Sequence, residues 1–314
     1  MNSPKITILI ATYNGELYIR EQLNSILNQS FTDFKITIRD DNSDDTTWIT
    51  LKEFKHKYTD KIELFQNKNQ LGVVKNFEKL ISGSTTEYIA LSDQDDIWHK
   101  DKLLKSFNAL ERENHKTPLL FHSDLKVINN DKRELYNSFF KMRFYTFPKK
   151  RSIDIMLGRS GVMGNTIVFN YALKEKILPF PKDLVVHDYW IALVNEFFGK
   201  RITSTERLVD YRIHESNVSN SIKNINKKKK FQNMIKLDFT LPYHKISREL
   251  VLDEFLLRFN IKKEEKDLIN YFKNYLLFNQ KNRFYFISLV FRYEFFRDSF
   301  IYKVRLIIAI IFKK

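Results

Sequence analysis

The chain has 314 residues, of which 43% are hydrophobic and 15% aromatic, enough for a large buried core and more than one typical domain. It contains no cysteine, so disulfide bonds and thiolate metal sites are excluded. The formal net charge is +15, and residues 221–314 carry 21 lysines and arginines against nine acidic residues, which favours an anionic partner for that part of the chain.

Over the first 130 residues, short apolar runs alternate with segments of helical period. Strands are predicted near residues 5–11, 34–39, 61–66, 87–92 and 118–124. The first apolar run is six residues long, shorter than the apolar core of a signal peptide, so it is predicted to be a strand. Because parallel strands buried on both faces are continuous apolar runs, the pattern predicts an open, mostly parallel α/β sheet flanked by helices.

Two acidic pairs follow apolar strands, Asp40 with Asp41 after FKITIR and Asp93 with Asp95 after EYIALS. The carboxyl ends of neighbouring strands in an open α/β sheet face one crevice, so both pairs can converge on one ligand. Carboxylate oxygens suit Mg²⁺ or Mn²⁺, and a remaining acid can bind ribose hydroxyls. For either pair alone, capping of a helix is the alternative. Together the pairs favour a metal and nucleotide site.

After residue 130 the pattern is looser, although three elements are still predicted. A turn with Gly164 and Asn165 leads into the strand IVFN, an apolar helix opens at His187, and a strand lies near residues 206–213. Beyond Lys230 the sequence reads as several amphipathic helices, with Phe and Tyr on one side and Lys or Arg on the other.

The uneven charge suggests a division of the chain. Residues 1–222 are predicted to form one domain and residues 223–314 a basic, aromatic-rich helical extension, with Lys227–Lys230 at the boundary. The apolar run Leu306–Phe312 is too short to span a bilayer, but such helices suit an anionic membrane surface. Two alternatives remain open: nucleic acid as the anionic partner, and packing of these helices on the first domain or on another subunit.

Neither a G-x-G-x-x-G motif after the first strand nor a P-loop is present, which disfavours dinucleotide dehydrogenases and P-loop NTPases. Over roughly residues 4–220 the sequence resembles the family-2 glycosyltransferases of GT-A fold, especially the bacterial rhamnosyltransferase-like branch. The segments that carry the resemblance are ILIATYNG, LNSILNQSF, IRDDNSDDT, LGVVKNFE, YIALSDQDDIWHKDKL, GNTIVFN, HDYWIAL and YRIHESNVS. Their order along the chain is that of the family.

The resemblance implies a nucleotide site at the matching positions. Ala11 and Tyr13 would lie against the base. Asp41 would accept a hydrogen bond from a pyrimidine imide N–H, with support from Asp40. Asp93 would hold the ribose.

The resemblance also implies a metal site. Asp95 would bind Mg²⁺ or Mn²⁺ between the two donor phosphates, because the departing nucleoside diphosphate gains negative charge that must be neutralised. His214 lies where the last predicted strand ends and would be a further ligand, as in some GT-A enzymes. A purely structural histidine is the alternative.

The implied general base is Asp188, which would take the proton of the acceptor hydroxyl in an inverting transfer. A helix cap is the alternative, because this residue begins a predicted helix. The cleft for the acceptor or the donor sugar is predicted to include Trp98, Gly164, Asn165, His187, Trp190 and Arg212. Core packing is the alternative for the tryptophans and the histidine, and an internal ion pair for the arginine.

The resemblance therefore implies a metal-dependent, inverting glycosyltransferase with a dTDP- or UDP-sugar donor, rhamnose or another hexose as the sugar, and a saccharide or lipid-linked acceptor. It would act in the cytoplasm at the inner membrane surface, bind no nucleic acid, and associate with itself through the extension. Two other classes remain open: a nucleic-acid-binding protein with structural acidic motifs, and a nucleotidyltransferase.

Overall fold

A computed structural model describes residues 4–214, apart from 144, 146 and 149, and residues 245–276, 287, 288 and 292. These residues form two compact units. The first unit comprises the described parts of Met1–Arg143, Val162–Phe180 and Val186–His214, and the second those of Phe144–Gly161, Pro181–Val185 and Glu215–Lys314. The predicted boundary at 222/223, the run Lys227–Lys230 and the segment 301–314 lie outside the described residues.

The first unit is built around one mixed sheet. Its strands are β1 (Ile6–Thr12), β2 (Phe34–Asp40), β3 (Ile62–Gln66), β4 (Tyr88–Ser92), β5 (Ile97–Trp98), β6 (Leu119–Ile128), β7 (Glu134–Tyr136), β8 (Val168–Asn170) and β9 (Lys200–Arg212). Its helices are α1 (Ile19–Leu27), α2 (Thr47–Lys57), α3 (Val73–Gly83), α4 (Lys102–Leu110), α5 (Phe139–Arg143), α7 (Tyr171–Ile177) and α8 (His187–Phe198), with a short 3₁₀ helix at Gly164–Thr166.

The sheet has the order β3-β2-β1-β4-β8-β6-β9-β5, and β7 pairs with β6. Strands β3, β2, β1 and β4 are parallel, whereas β8 runs antiparallel to both β4 and β6. The predicted α/β architecture is confirmed. The last strand begins at Lys200, earlier than predicted, because its first eight residues are mostly polar and none of them is buried, so they lack an apolar signal.

Strand β1 illustrates why apolar runs become central strands here. Ile6, Ile8 and Ile10 point to one face and Thr7 and Leu9 to the other, and all five are fully buried. Helices cover these faces, α3 through the buried Phe77, Leu80 and Ile81. Burial on both faces fixes the register of β1, since a one-residue slip would exchange every side chain between faces.

The second unit includes α6 (Ile153–Arg159), α9 (Lys245–Arg258) and α10 (Lys263–Leu276). Helix α9 buries Val251, Leu252 and Phe255, and α10 buries Ile269 and Phe272. Within the described residues, no helix combines the length and the apolar character that crossing a membrane requires.

Candidate functional site

Three loops bring predicted site residues to one edge of the sheet. Strand β1 lies between β2 and β4, and all three are parallel, so their carboxyl ends face the same way. Ala11 and Tyr13 at the end of β1, Asp40 and Asp41 at the end of β2, and Asp93 after β4 therefore emerge together. Ala11 is partly exposed and the Tyr13 side chain is 40% exposed, so this edge is accessible to a ligand.

The buried carboxylate of Asp40 joins three strand ends. It accepts hydrogen bonds from Thr12 Oγ1 at 3.0 Å, from the Ser43 backbone N–H at 3.0 Å and hydroxyl at 2.6 Å, and from Gln66 Nε2 at 3.1 Å. These donors belong to β1, the loop after β2, and β3. Asp40 therefore ties the ends of these strands together.

Asp41 shapes the loop that precedes α3. Its carboxylate accepts hydrogen bonds of 2.8 Å from Asn67 Nδ2, from the Leu71 N–H and from the Gly72 N–H. The φ of Gly72 is +83°, a conformation that favours glycine and turns the chain into the helix. A carboxylate has about four acceptor positions, so the described residues use three of those that Asp41 offers.

The loop after β4 carries three carboxyl groups, those of Asp93, Asp95 and Asp96. A fourth carboxyl group, that of Asp188 at the start of α8, lies close to Asp93. Burial, followed by the negative charges of Asp95 and Asp188, raises the pKa of Asp93 to about 7, while the charge of Lys102 opposes this rise. Burial and the charges of Asp95 and Asp93 also raise the pKa of Asp96. Carboxyl groups from two distant segments therefore share one site.

Asp95 and His214 come together although they are 119 residues apart in the sequence. His214 Nε2 lies 2.8 Å from Asp95 Oδ2, and both side chains are mostly covered. The imidazole also packs against the ring of Tyr18, with 4.8 Å between ring centroids. One nitrogen and one oxygen ligand of the type that Mn²⁺ or Mg²⁺ accepts are thus adjacent.

The 3₁₀ helix links Asp188 to the acidic loop. The Gly164 N–H donates to Asp188 Oδ2 at 3.2 Å, and Asn165 Nδ2 donates to Asp96 Oδ2 at 2.5 Å. Two consecutive residues therefore hold carboxylates from α8 and from the β4 loop, and Asn165 is itself buried. This contact explains why the predicted cleft residues at 164 and 165 lie beside the predicted general base.

His187 packs instead of facing the cleft. Its ring stacks on Phe77 with 4.3 Å between centroids, and its buried Nε2 has no hydrogen-bond partner among the residues that the structure describes. Burial lowers the pKa of His187 to about 4, so the imidazole is neutral at pH 7. Of the two roles predicted for His187, packing is the one that these contacts favour.

The two tryptophans predicted to line the cleft are core residues. Trp190 is fully buried, and its indole N–H donates to the Ile177 carbonyl at 2.8 Å. Trp98 is 3% exposed, and the Nζ of the buried Lys102 lies 3.3 Å from its ring centroid. The expectation that these rings form cleft walls is corrected, because both large aromatic side chains are buried in the core.

Arg212 pairs internally. Its guanidinium donates to Glu21 Oε2 at 2.6 Å, to the Asp95 carbonyl at 3.0 Å and to the Asn130 carbonyl at 3.1 Å. Its backbone N–H donates to Asp96 Oδ1 at 3.2 Å. The Arg212 side chain is 1% exposed and forms an internal ion pair, so the prediction that it faces a diphosphate in the cleft is corrected. Its hydrogen bond to the Asp95 carbonyl fixes the backbone of the acidic loop.

Three residues near the site escaped prediction from the sequence: Gln94, Asp96 and Lys102. Asp96 directly follows Asp95, so the run of acids was visible, but its burial depends on contacts with Asn165 and Arg212 that are distant in sequence. Lys102 begins α4, four residues after Trp98 in β5, and nothing in the sequence indicated that its side chain is buried against this ring. Gln94 contacts Tyr13 through its amide.

Comparison with known proteins supports one functional class. The dTDP-rhamnosyl transferase RfbG of Shigella flexneri is 44% identical to this chain over 105 residues, which are 32% of this chain and 36% of RfbG. The solved S. aureus TarS 1–349 with UDP matches at a TM-score of 0.59 and 19% identity, over 89% of this chain and 74% of TarS.

A second solved structure, the mannosyltransferase PcManGT from Pyrobaculum calidifontis with GDP-Man and Mn²⁺, matches at a TM-score of 0.57 and 15% identity, over 91% of this chain and 72% of PcManGT. These structures have the GT-A-like fold predicted from the sequence. The family model for Glycosyl transferase family 2 matches residues 7–164, half of the chain. The chain covers 36% and 42% of the length of the first two curated relatives that it matches, and it belongs to glycosyl transferase family 2.

Proposed function

We propose that this glycosyltransferase moves a sugar from a nucleoside-diphosphate donor to an acceptor hydroxyl with inversion and with the help of a divalent cation. The observation that carries the proposal is the meeting of carboxyl groups from separate segments: the adjacent residues Gly164 and Asn165 bind Asp188 and Asp96, and burial, followed by the charges of Asp95 and Asp188, raises the pKa of Asp93 to about 7. Mutual repulsion of this kind is typical of sites built to bind a cation or to move a proton.

The donor nucleotide would occupy the edge formed by the ends of β1, β2 and β4. The exposed ring of Tyr13 and the partly exposed Ala11 would contact the base, and Asp93 the ribose. Asp41 would position the loop at Leu71 and Gly72 beside the base and accept from its imide with the remaining acceptor position. RfbG is named a dTDP-rhamnosyl transferase and TarS was solved with UDP, which supports a dTDP- or UDP-sugar carrying rhamnose or another hexose.

Asp95 and His214 fit a divalent cation. Their ligand atoms lie 2.8 Å apart, and one carboxylate oxygen with one imidazole nitrogen is a donor set suited to Mn²⁺ and, with further oxygen ligands, to Mg²⁺. A bound cation supplies Lewis-acid neutralisation of charge on the departing diphosphate. Arg212 holds the Asp95 carbonyl and thereby the position of this ligand.

In the transfer step, the acceptor oxygen bonds to the anomeric carbon while the bond from that carbon to the diphosphate oxygen breaks, and its electron pair leaves with the nucleoside diphosphate. The hydroxyl proton passes to a carboxylate oxygen of Asp188. The N–H of Gly164 orients this carboxylate.

The acceptor would be a hydroxyl of a surface polysaccharide or of a lipid-linked saccharide. Residues 221–314 contain 21 basic and nine acidic residues, which supports attraction to an anionic lipid surface on the cytoplasmic face. Each basic residue near such a surface contributes roughly 1 kcal/mol to the binding free energy. We further propose residues 1–222 as the catalytic domain and residues 223–314 as the segment for membrane or subunit contact.

The donor and the metal can be tested together. Wild-type protein is incubated with UDP-, dTDP- and GDP-sugars, with and without Mn²⁺, and its melting temperature is measured, because a ligand that binds only the folded state raises it. We expect a UDP- or dTDP-sugar to give a shift that requires Mn²⁺ or Mg²⁺. The anomeric configuration of the product, read by NMR, tests inversion.

Asp95→Ala should lower metal-dependent turnover at least 100-fold, because the cation would lose its carboxylate ligand. Asp188→Asn should lower kcat by 100- to 10,000-fold while donor binding persists, because the amide accepts no proton. The matched control is Asp44→Ala, which removes an exposed carboxylate from the loop after β2. Full turnover with unchanged metal dependence in the Asp95→Ala variant would refute the site.

A further inference from the structure

Gln94 joins the loop after β4 to the loop after β1. Its side-chain Oε1 accepts a hydrogen bond from the Tyr13 N–H at 2.9 Å, and its Nε2 donates to the Tyr13 carbonyl at 2.9 Å. One side-chain amide thus satisfies both backbone groups of a single residue. We call this pair of bonds the Gln94 clamp.

The Gln94 clamp begins where backbone pairing ends. Strands β1 and β4 are paired in register from Ile6 with Tyr88 to Ile10 with Ser92. Beyond this pairing, Gln94 and Tyr13 connect the two chain segments through two hydrogen bonds. Because a primary amide has the same donor and acceptor groups as a peptide, the side chain continues the sheet ladder without a strand.

Gly15 provides the space that the clamp needs. A Cβ at position 15 would lie 2.4 Å from Gln94 Oε1 and 2.6 Å from Gln94 Cδ, distances that real Cβ atoms do not adopt. The backbone of Gly15 is not in the left-handed region, so an L-residue is compatible with its φ. Any larger residue at this position must therefore displace the side-chain amide of Gln94.

The two loops joined in this way have different proposed tasks. Tyr13 lies at the proposed base site, whereas Asp93 and Asp95 flank Gln94 in sequence and lie at the proposed ribose and metal sites. A nucleoside diphosphate would have to contact both loops at once. Its binding therefore depends on the spacing between them, and rigid spacing avoids the free-energy penalty of ordering the loops on binding.

We infer that Gln94 is a positioning residue that holds the base loop and the acidic loop at the spacing required by the donor nucleotide. The inference rests on the proposed function, since it takes Tyr13 and Asp93 as parts of one nucleotide site. It assigns the role to the amide of Gln94 and to the absence of a side chain at Gly15, acting as one unit.

The first test measures nucleotide affinity and turnover for Gln94→Met, which keeps the length of the side chain but has neither amide group. The Kd for UDP or dTDP with Mn²⁺ and the KM for the donor should rise roughly 5- to 30-fold, as expected for two lost hydrogen bonds, while kcat at saturating donor stays within about threefold.

The second test combines the two positions. Gly15→Ala alone should weaken nucleotide binding by about the same factor as Gln94→Ala, because the new methyl group expels the amide. In the double variant Gly15→Ala/Gln94→Ala the obstacle is gone, so the Kd should stay within about twofold of Gln94→Ala. Multiplied effects of the two substitutions would overturn the inference.

Hydrogen exchange of the Tyr13 amide separates this inference from the proposed function. The amide should lose protection in Gln94→Met without any ligand present. Unchanged protection, or an unchanged nucleotide Kd in that variant, would overturn the positioning role while leaving the proposed function intact. If wild-type protein bound neither UDP nor dTDP, the proposed function would fail, and the positioning role would fail with it even if the amide lost protection.

Discussion

The buried imidazole of His187 should make the stability of the first unit depend on pH in a specific way. It lies at the start of α8, stacked on Phe77, and burial lowers its pKa to about 4 from an ordinary value near 6.5. As the pH falls below 6.5, the unfolded chain binds a proton at this residue but the folded protein does not. Its contribution to the free energy of unfolding is therefore present at pH 7 and is lost towards pH 4.

The size of the effect follows from the two pKa values. Each pKa unit corresponds to about 1.4 kcal/mol, so the complete loss for His187 is about 3 kcal/mol. Most of it falls between pH 7 and pH 5, where the linkage relation gives about 2 kcal/mol. Carboxyl groups that titrate in the same range act on wild type and variant alike, so their effects cancel in a comparison of the two.

The assay is urea unfolding of wild type and His187→Gln at pH 7 and pH 5. Tryptophan fluorescence reports on the first unit, because Trp48, Trp98 and Trp190 all lie in it. The stability difference between the two proteins should change by about 2 kcal/mol in favour of the variant at pH 5. The same substitution at the exposed His56 is the matched control and should give a constant difference. A constant difference for His187→Gln would refute the assignment of a buried, neutral imidazole.

Two further substitutions test contacts that frame the site. Arg212→Met should lower the free energy of unfolding by about 2–4 kcal/mol, because it removes the donor to Glu21 Oε2 and to two carbonyl groups. A loss below about 0.5 kcal/mol in urea unfolding would contradict the buried ion pair. Gly199→Ala should lower the free energy of unfolding by about 1–3 kcal/mol, because the new Cβ would lie 2.2 Å from the Pro118 carbonyl oxygen. Gly83→Ala is the control and should be neutral or stabilising, because a Cβ there would have no atom within 4 Å. Equal melting temperatures for the two variants would contradict this difference.

The parallel half of the fold could be predicted because its signal is local. Strands buried on both faces, such as β1 and β4, must be continuous apolar runs, and helices such as α3 show their buried side at helical spacing. The start of β9 at Lys200 could not be predicted, since none of its first eight residues is buried and they carry no apolar pattern. Burial, not strand formation itself, is what the sequence pattern indicated.

The site was predictable to the extent that strand ends determine it. Asp40, Asp41 and Asp93 follow predicted strands, and the parallel order places them at one edge. The environment of Trp190 and Arg212 was not predictable, because a buried indole with a carbonyl partner and an exposed one in a cleft have the same sequence signature. Which neighbour an arginine finds 191 residues away is decided by the assembled fold.

The charge balance of the acidic loop argues for a function beyond packing. Asp93, Asp95 and Asp96 lie within four residues, and their mutual repulsion adds to the burial that raises the pKa of Asp93 and Asp96. Arg212 contacts this loop through the Asp95 carbonyl and directs its ion pair to Glu21. A loop selected only for stability would favour fewer like charges, since each destabilises its neighbours. The carboxylate of Asp95 is what a cation-assisted transfer requires in this loop, so its removal in Asp95→Ala should lower metal-dependent turnover at least 100-fold.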